Sequence, residues 1–469
     1  MRSARKTCVV LFHILLFSLL SLKITASPRT QADALIKWKN TFSFQPSSLA
    51  SWSLTNINNL CNWTSIVCDS AGTVSKINLS GENITGVLTE FNFTEFSTLT
   101  HFDLSSNNID GDIPSAIGSL AKLAYLDLGS NIFGGIIPSD IAQLTELEYL
   151  NLSNNSLNGT IPHQLSNLQK VCGKIPSSLG QLKKLQILDL RLNALNSTIP
   201  SQLGLCTNLT YLALAINRLS GELPLSLSNL ITLSELGLSD NLLSGEISPD
   251  LISSWTELVS LQLQNNSFTG KIPPEIGLLT NLNYLYLYNN KLSGPIPSEF
   301  GSLINLASLD LSGNQLSVVQ FHQRLENLAS LATFDVNTNQ LYGELPQNIS
   351  RLPSLQSISL FTNNFSGSIP RDFGKHIQLT YVSFSNNSFS GELPPELCSG
   401  FALEDFTDVL DQRLPPPTGQ LAEEVMFVVN VALGCTGTTP EGRPSMRFVA
   451  QELSAKTQDN HNKLTSFQK

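Results

Sequence analysis

The chain has 469 residues, 41% of them hydrophobic, with seven cysteines and a formal net charge of −10. That charge is mild for the length and no basic run occurs, which argues against nucleic acid as a partner. The first element, 1–26, reads as a secretory signal. Arg2, Arg5 and Lys6 precede an apolar run from Val9 to Leu22, and small residues follow near Ala26. No later stretch reaches the 18 or so apolar residues of a membrane span. The richest, Val425 to Leu433, is nine residues long and contains Asn430. Taken literally, the sequence is exported and carries no transmembrane span; membrane attachment would need a longer transcript to supply one.

Two features agree with export. Thirteen N-x-[S/T] sequons occur, with Asn62, Asn78, Asn83, Asn92, Asn208 and Asn348 as candidate glycan acceptors. In the second element, 27–74, Cys61 and Cys68 flank Asn62-Trp63-Thr64, a spacing open to a disulfide in an oxidising compartment. Cys8 would leave with the signal. Cys172, Cys206, Cys398 and Cys435 have no obvious mates and read as buried thiols.

From 75 to 403 the chain repeats. Asn107, Asn131, Asn155, Asn193, Asn217, Asn241, Asn266, Asn290, Asn314, Asn339, Asn363 and Asn387 sit in copies of L-x-x-L-x-L-x-x-N-x-L, mostly 24 or 25 residues apart. This is the leucine-rich-repeat signature. It predicts an α/β solenoid, a superhelix of about 13 coils. In each coil the L-x-L pair, such as Leu126 and Leu128, forms a strand with leucines inward and intervening residues outward. The asparagine amide can satisfy turn groups that would otherwise be buried unpaired. A G-x-I-P segment follows, as in Gly111–Pro114, Gly270–Pro273 and Gly294–Pro297, where glycine allows positive φ and proline sets the exit toward the convex side.

The period fails twice. Pro162 to Pro176 spans 14 residues, without an L-x-L strand or its asparagine, so we expect a broken coil at 163–175. At Val318 the glycine is replaced and no I-P follows. Phe321, Leu325, Leu328 and Leu331 are spaced there for one helical face, so this coil should bend the solenoid without breaking it.

Several motifs together resemble one family. Ala34-Leu35-Ile36-x-Trp38, Leu49-x-Ser51-Trp52 and Cys61-x-Trp63-x-x-x-x-Cys68, followed by G-x-I-P coils, are similar to the ectodomain of plant leucine-rich-repeat receptor-like kinases. The resemblance implies a plant-type N-terminal cap over 27–74 bridged by Cys61–Cys68. It also implies perception at the cell surface of a peptide or protein ligand, with a leucine-rich-repeat co-receptor as a further partner. Asp408-Val409-Leu410-Asp411-x-Arg413-Leu414 and Pro440-Glu441-x-Arg443-Pro444 resemble the last helices of the same family's kinase domain. On that reading 404–455 is a remnant of the kinase C-lobe and the receptor is truncated. Residues 456–469 are polar and expected to be disordered.

No enzyme is expected. The Gly-rich loop, the nucleotide lysine and the His-Arg-Asp loop are missing, and phosphoryl transfer needs all of them placed together. Asp372-Phe373-Gly374 spells the magnesium-binding tripeptide of kinases, but it occupies the stretch after Ile369-Pro370 where Glu299-Phe300-Gly301 stands in an earlier coil. No metal site and no cofactor are expected. Alternatives to a receptor ectodomain are a secreted protein like the plant polygalacturonase inhibitors and a non-functional truncated product.

Recognition should lie on outward strand positions. Tyr284, Tyr286 and Tyr288 share one strand, an amphipathic platform of the kind enriched in binding hot spots. Their neighbours are Gln262 and Gln264 on one side and Asp310, Asp335 and Asn337 on the other, with Phe361 beyond. Tyr125, Tyr149, Tyr211 and Tyr381 are lone outward tyrosines, which strand propensity alone explains. Asp103, Asp127, Asp189, Asp310 and Asp335 line the same face, a filling common in L-D-L repeats, with Arg191 as its exposed cation. Members of the family that grip a peptide C-terminus use an R-x-R pair; none occurs here.

Overall fold

A computed structural model describes residues 27–158, 174–319, 327–375, 379–392, 394 and 397. The chain divides into two compact units, Met1–Asn196 and Ser197–Lys469. The segments 1–26, 404–455 and 456–469, with Cys8, Cys172, Cys398 and Cys435, lie outside the described residues.

Unit 1 opens with the helix Pro28–Lys39. Proline stands at its first position and Ser27 caps it: the Thr30 N–H donates to Ser27 Oγ at 3.2 Å, and the Ser27 N–H donates to Thr30 Oγ1 at 3.0 Å. Three polar side chains fasten this helix to the rest of the cap and to the first coils. Gln31, fully buried, donates to Glu95 O (2.8 Å) and accepts from the Val74 N–H (2.9 Å). The Trp38 indole donates to Val87 O at 3.0 Å. Lys39 Nζ donates to the carbonyls of Leu49 and Trp52. Cys61 and Cys68 form the expected disulfide, with Cα atoms 5.4 Å apart.

The sheet of unit 1 begins antiparallel, Ile66–Cys68 against Val74–Asn78, a hairpin that the repeat pattern does not announce. It continues in parallel through His101–Asp103, Tyr125–Asp127, Tyr149–Asn151 and Ile187–Asp189. Residues 163–173 of the broken coil expected at 163–175 lie outside the described residues, but the sheet is not interrupted on either side of them. Tyr149 pairs directly with Ile187 and Asn151 with Asp189. The Leu157 N–H donates to Asn193 Oδ1 at 3.1 Å, and on the other flank Lys184 Nζ meets Glu146 Oε2 at 2.7 Å. Asn155 and Asn193 are thus successive repeat asparagines 38 residues apart. No rung is missing between the strands of their coils.

Among the described residues, the main ladder of unit 2 has eight parallel strands in chain order: Tyr211–Ala213, Glu235–Gly237, Ser260–Gln262, Tyr284–Tyr286, Ser308–Asp310, Thr333–Asp335, Ser357–Ser359 and Tyr381–Ser383. The coil holding Val318 keeps its place in this ladder: Ser308 pairs with Thr333 and Asp310 with Asp335. Leu328 and Leu331 are buried there; Phe321 and Leu325 lie outside the described residues. A second ladder, not foreseen, forms where the chain leaves each asparagine, for example Ser244–Glu246 beside Ser267–Thr269 and Tyr342–Glu344 beside Asn364–Ser366. Its glycines adopt positive φ as the motif required, Gly245 at 83° and Gly270 at 77°. After each proline comes a single tight turn such as Ser298–Ser302, whose Phe300 is fully buried. Phe373 fills the corresponding core position, edge-on to Phe384 at 5.6 Å, so Asp372-Phe373-Gly374 is repeat filling.

The asparagines do what the pattern asked. Asn290 Nδ2 donates to Leu263 O (3.0 Å) and Leu287 O (3.1 Å), while its Oδ1 accepts from the Phe268 N–H (3.0 Å). The residue before it is left-handed in coil after coil: Ser106, Ser130, Asn154, Leu192, Ile216, Asp240, Asn265 and Asn289 have φ between 50° and 57°.

Candidate functional site

With leucines committed inward, strand register decides which outward side chains meet. Two positions are set by the pairing itself. One row in unit 2 runs Tyr211, Glu235, Ser260, Tyr284, Ser308, Thr333, Ser357, Tyr381, and a second runs Ala213, Gly237, Gln262, Tyr286, Asp310, Asp335, Ser359, Ser383. Backbone bonds carry a third past the strand ends. The Asn265 N–H donates to Tyr288 O, the Asn289 N–H to Ser312 O, the Gly313 N–H to Asn337 O and the Thr338 N–H to Phe361 O. Neighbours along a row stand about 4.8 Å apart.

The structure brings the candidate residues together on these rows. Tyr286 lies between Gln262 and Asp310. Tyr284, 44% exposed, is the most open of the three tyrosines, and its ring centroid is 6.3 Å from that of Tyr286. Beside them, Ser260 and Gln264 are buried although both belong to outward rows. Gln262 Nε2 donates to Ser260 Oγ at 3.0 Å. The Gln264 amide lies against the Tyr288 hydroxyl, yet its Oε1 has no hydrogen-bond partner. Burial raises the Tyr288 hydroxyl above its ordinary range, and the negative charges of Asp240 and Asp310 add to the rise.

Asp310 and Asp335 are register partners on adjacent strands. Asp310 Oδ1 accepts from the N–H and hydroxyl of Ser312 (2.9 and 2.6 Å). Asp335 Oδ1 accepts from the N–H and side-chain amide of Asn337 (2.9 and 2.7 Å). Every bond to these two carboxylates ends on Oδ1, and neither belongs to an ion pair among the described residues. Burial pushes the Asp310 carboxyl above the usual carboxylate range. The Ser312 donors pull it back and the charge of Asp335 pushes it up again. Phe361 is half-buried in the third row.

Unit 1 holds a cluster that reading single strands passed over. His101, Tyr125 and Tyr149 occupy one row. Their rings stack in succession, with centroids 4.1 and 4.2 Å apart and planes within 10°. Tyr149 donates to Asp127 Oδ2 (3.2 Å) and Asn151 Nδ2 donates to both oxygens of that carboxylate. Burial raises Asp127, opposed by the Gly129 N–H and the Asn151 amide. Burial and the charge of Lys76 lower the His101 imidazole, whose Nε2 is buried without a partner. The tyrosines read as isolated are thus a stack, and its signal was a shared offset from the repeat asparagine. Arg191 is committed to its own strand, Nη2 lying 2.7 Å from Asp189 Oδ2.

Among the sequons, Asn62, Asn83, Asn92 and Asn208 are exposed, while Asn78 and Asn348 are partly covered. Asn78 Oδ1 accepts from the Ser80 N–H. Cys206 is buried. Among the described residues no group of three His, Cys, Asp or Glu side chains is arranged to hold a metal, and no helix is long and apolar enough to cross a membrane.

Comparison with known proteins agrees with this geometry. A leucine rich repeat family model matches 73–133 and 256–316, a second matches 146–168, 354–376 and 378–399, and a leucine rich repeat N-terminal domain model matches 28–69. A probable leucine-rich repeat receptor-like protein kinase of Arabidopsis thaliana is 38% identical over 115 residues, which is 23% of this chain and 10% of that protein. The Arabidopsis receptor kinase HAESA, solved in complex with the peptide hormone IDA and the co-receptor SERK1, is 33% identical with a TM-score of 0.68. That match covers 79% of this chain and 59% of HAESA. The plant peptide hormone receptor RGFR1, solved in complex with RGF2, is 32% identical with a TM-score of 0.56, over 72% of this chain and 62% of the receptor. The chain therefore spans about a tenth of the curated relative's length and some three fifths of the solved ectodomains it matches.

Proposed function

We propose that this leucine-rich-repeat chain, capped at its N-terminus and homologous to plant leucine-rich-repeat receptor-like kinases, is an extracellular recognition module that binds an extended peptide on the outward rows of unit 2. The observation that carries the reading is the joining of three tyrosines on one strand to amides on one side and carboxylates on the other. Tyrosine offers large area at low entropic cost together with a hydroxyl, and the flanking groups can hydrogen-bond a peptide backbone. HAESA and RGFR1, the solved relatives, are peptide-hormone receptors. By the same likeness a leucine-rich-repeat co-receptor is the second partner. The module has no phosphoryl-transfer activity of its own, and its outward residues act by binding alone.

The reading is tested by panning the full secreted chain against a displayed library of random twelve-residue peptides. Wild-type protein should enrich a peptide family, and joint replacement of Tyr284, Tyr286 and Tyr288 by alanine should weaken each selected peptide at least about tenfold. Absence of enrichment, or equal binding by the triple variant, would refute it.

A further inference from the structure

The carboxylates beside the tyrosines say what such a peptide must carry. Asp310 and Asp335 stand side by side, about 4.8 Å apart at the backbone. Each is fixed by donors of its own coil through Oδ1, so the Oδ2 atoms accept none of the hydrogen bonds present. Two like charges held together without a counter-ion repel each other, and burial pushes the Asp310 carboxyl up in the same direction. The contrast lies elsewhere on the same kind of face. Asp189 has Arg191 folded onto it, and both oxygens of Asp127 are occupied by Tyr149 and Asn151. A group that is both cationic and a multiple donor satisfies two adjacent Oδ2 atoms at once and neutralises their charge.

A second, independent observation lies one platform width away. Gln264 is 8% exposed, sits on the outward side beside Tyr288, and keeps an orphan acceptor in Oε1. A buried carbonyl without a donor costs free energy that a bound N–H would recover. Its coil and that of Asp310 are two strands apart, with the Tyr284–Tyr286 strand between them. With the two-residue offset between the rows, that span of about 12 Å is covered by three to four residues of extended chain.

We propose that the peptide bound by unit 2 is basic: an arginine or lysine side chain sits on the Asp310–Asp335 pair while a donor about three to four residues along the peptide reaches Gln264 Oε1 across the tyrosine platform. The inference rests on the peptide-binding reading above and adds a charge and a register to it. A planar guanidinium, with five donors, can bond both carboxylates while stacking on Tyr286, so arginine should be preferred to lysine.

The experiment is the same panning, carried out on the full chain and on three variants of equal size or reversed charge. These are D310N/D335N, D310K and Gln264→Glu, each first checked for an unchanged melting temperature. Wild type should enrich peptides with a basic residue at one fixed position. Those peptides should bind D310N/D335N at least about tenfold more weakly, since charge-assisted bonds are lost. D310K, whose ammonium pairs with Asp335 and cancels the local charge, should lose the preference for a basic residue at that position. Gln264→Glu should shift preference only at the position about three to four residues away. Enriched peptides with no fixed basic residue, or indifferent to D310N/D335N, would overturn this inference and leave peptide binding standing. No enrichment at all would overturn both.

Discussion

Replacing Asn290 by alanine probes the ladder that holds unit 2. Its amide does two unequal jobs. On the donor side it is redundant: Leu263 O also accepts from Asn266 at 3.1 Å, and Leu287 O also accepts from Asn314 at 3.0 Å. On the acceptor side it is not, since the buried Phe268 N–H donates to Asn290 Oδ1. Alanine therefore orphans one buried N–H, costing about 1–3 kcal/mol, and removes one of two donors from each carbonyl, about 0.5 kcal/mol apiece. The sum is about 2–4 kcal/mol. For a unit of this size that lowers the melting temperature by about 5–15 °C. Calorimetry on the full chain measures it, with hydrogen exchange at Phe268 reporting the orphan directly.

Asn290→Asp separates the two jobs. It keeps an acceptor for Phe268 but sets a carboxylate against the Leu263 and Leu287 carbonyls, which raises its folded pKa above the unfolded value near 4. A raised folded pKa gives stability that is present at low pH and lost as pH rises through it. This variant should therefore melt at or below the alanine variant at pH 7 and recover on acidification. If alanine shifts the melt by less than about 1 °C, or if the aspartate variant shows no acid recovery, the ladder does not carry the load assigned to it.

Three further perturbations have signs set by the structure. Ile216, 47% exposed, is a β-branched residue held at φ 55°, so Ile216→Asn should stabilise by about 1 kcal/mol; an unchanged or lower melting temperature would contradict the strain argument. Removing the Cys61–Cys68 bridge with serines, a separation of seven residues, should cost the cap about 2–3 kcal/mol, read as early unfolding in calorimetry, while a single unshifted transition would refute it. Burial raises Tyr125 to about 12 and raises Tyr149 further, so the stability they contribute is whole below pH 10 and lost as pH climbs above it. Replacing both by phenylalanine should flatten that alkaline loss, and full tyrosine ionisation near pH 10 in the folded wild type, followed at 295 nm, would defeat the assignment.

Most of the fold was legible because the repeat states its constraints in residue types. Leu285 and Leu287 must be inward, Asn290 must bond the turn, and Gly294 must take positive φ, and each does. The cap residues Trp38, Trp52 and Trp63 are buried as their motifs implied. Two things were not legible. The fourteen-residue spacing between Pro162 and Pro176 looked like a broken rung, because counting residues does not reveal that Tyr149 can pair with Ile187 across a 38-residue step. The antiparallel hairpin Ile66–Cys68 lies before the first asparagine, where no period speaks.

The site shows the same division more sharply. Counted back from each repeat asparagine, outward side chains stand six, four and two residues before it, which for Asn290 are Tyr284, Tyr286 and Tyr288. The same offsets from Asn107, Asn131 and Asn155 give His101, Tyr125 and Tyr149, the row that stacks. The register is indifferent to whether a coil has 24 or 25 residues, because the strand pairs stay aligned and the extra residue falls elsewhere: Ser260 follows Glu235 by 25, Tyr284 follows Ser260 by 24, and both pair squarely. Which residues share a row can therefore be derived from the sequence before any coordinates. What each does there cannot. Gln262 and Gln264 have the same type, the same coil and the same outward side, yet Gln262 bonds Ser260 while Gln264 lies buried with a bare acceptor. That difference comes from how neighbouring side chains lean across the strand, a packing outcome with no period, and it is at such positions that a binding surface departs from its scaffold.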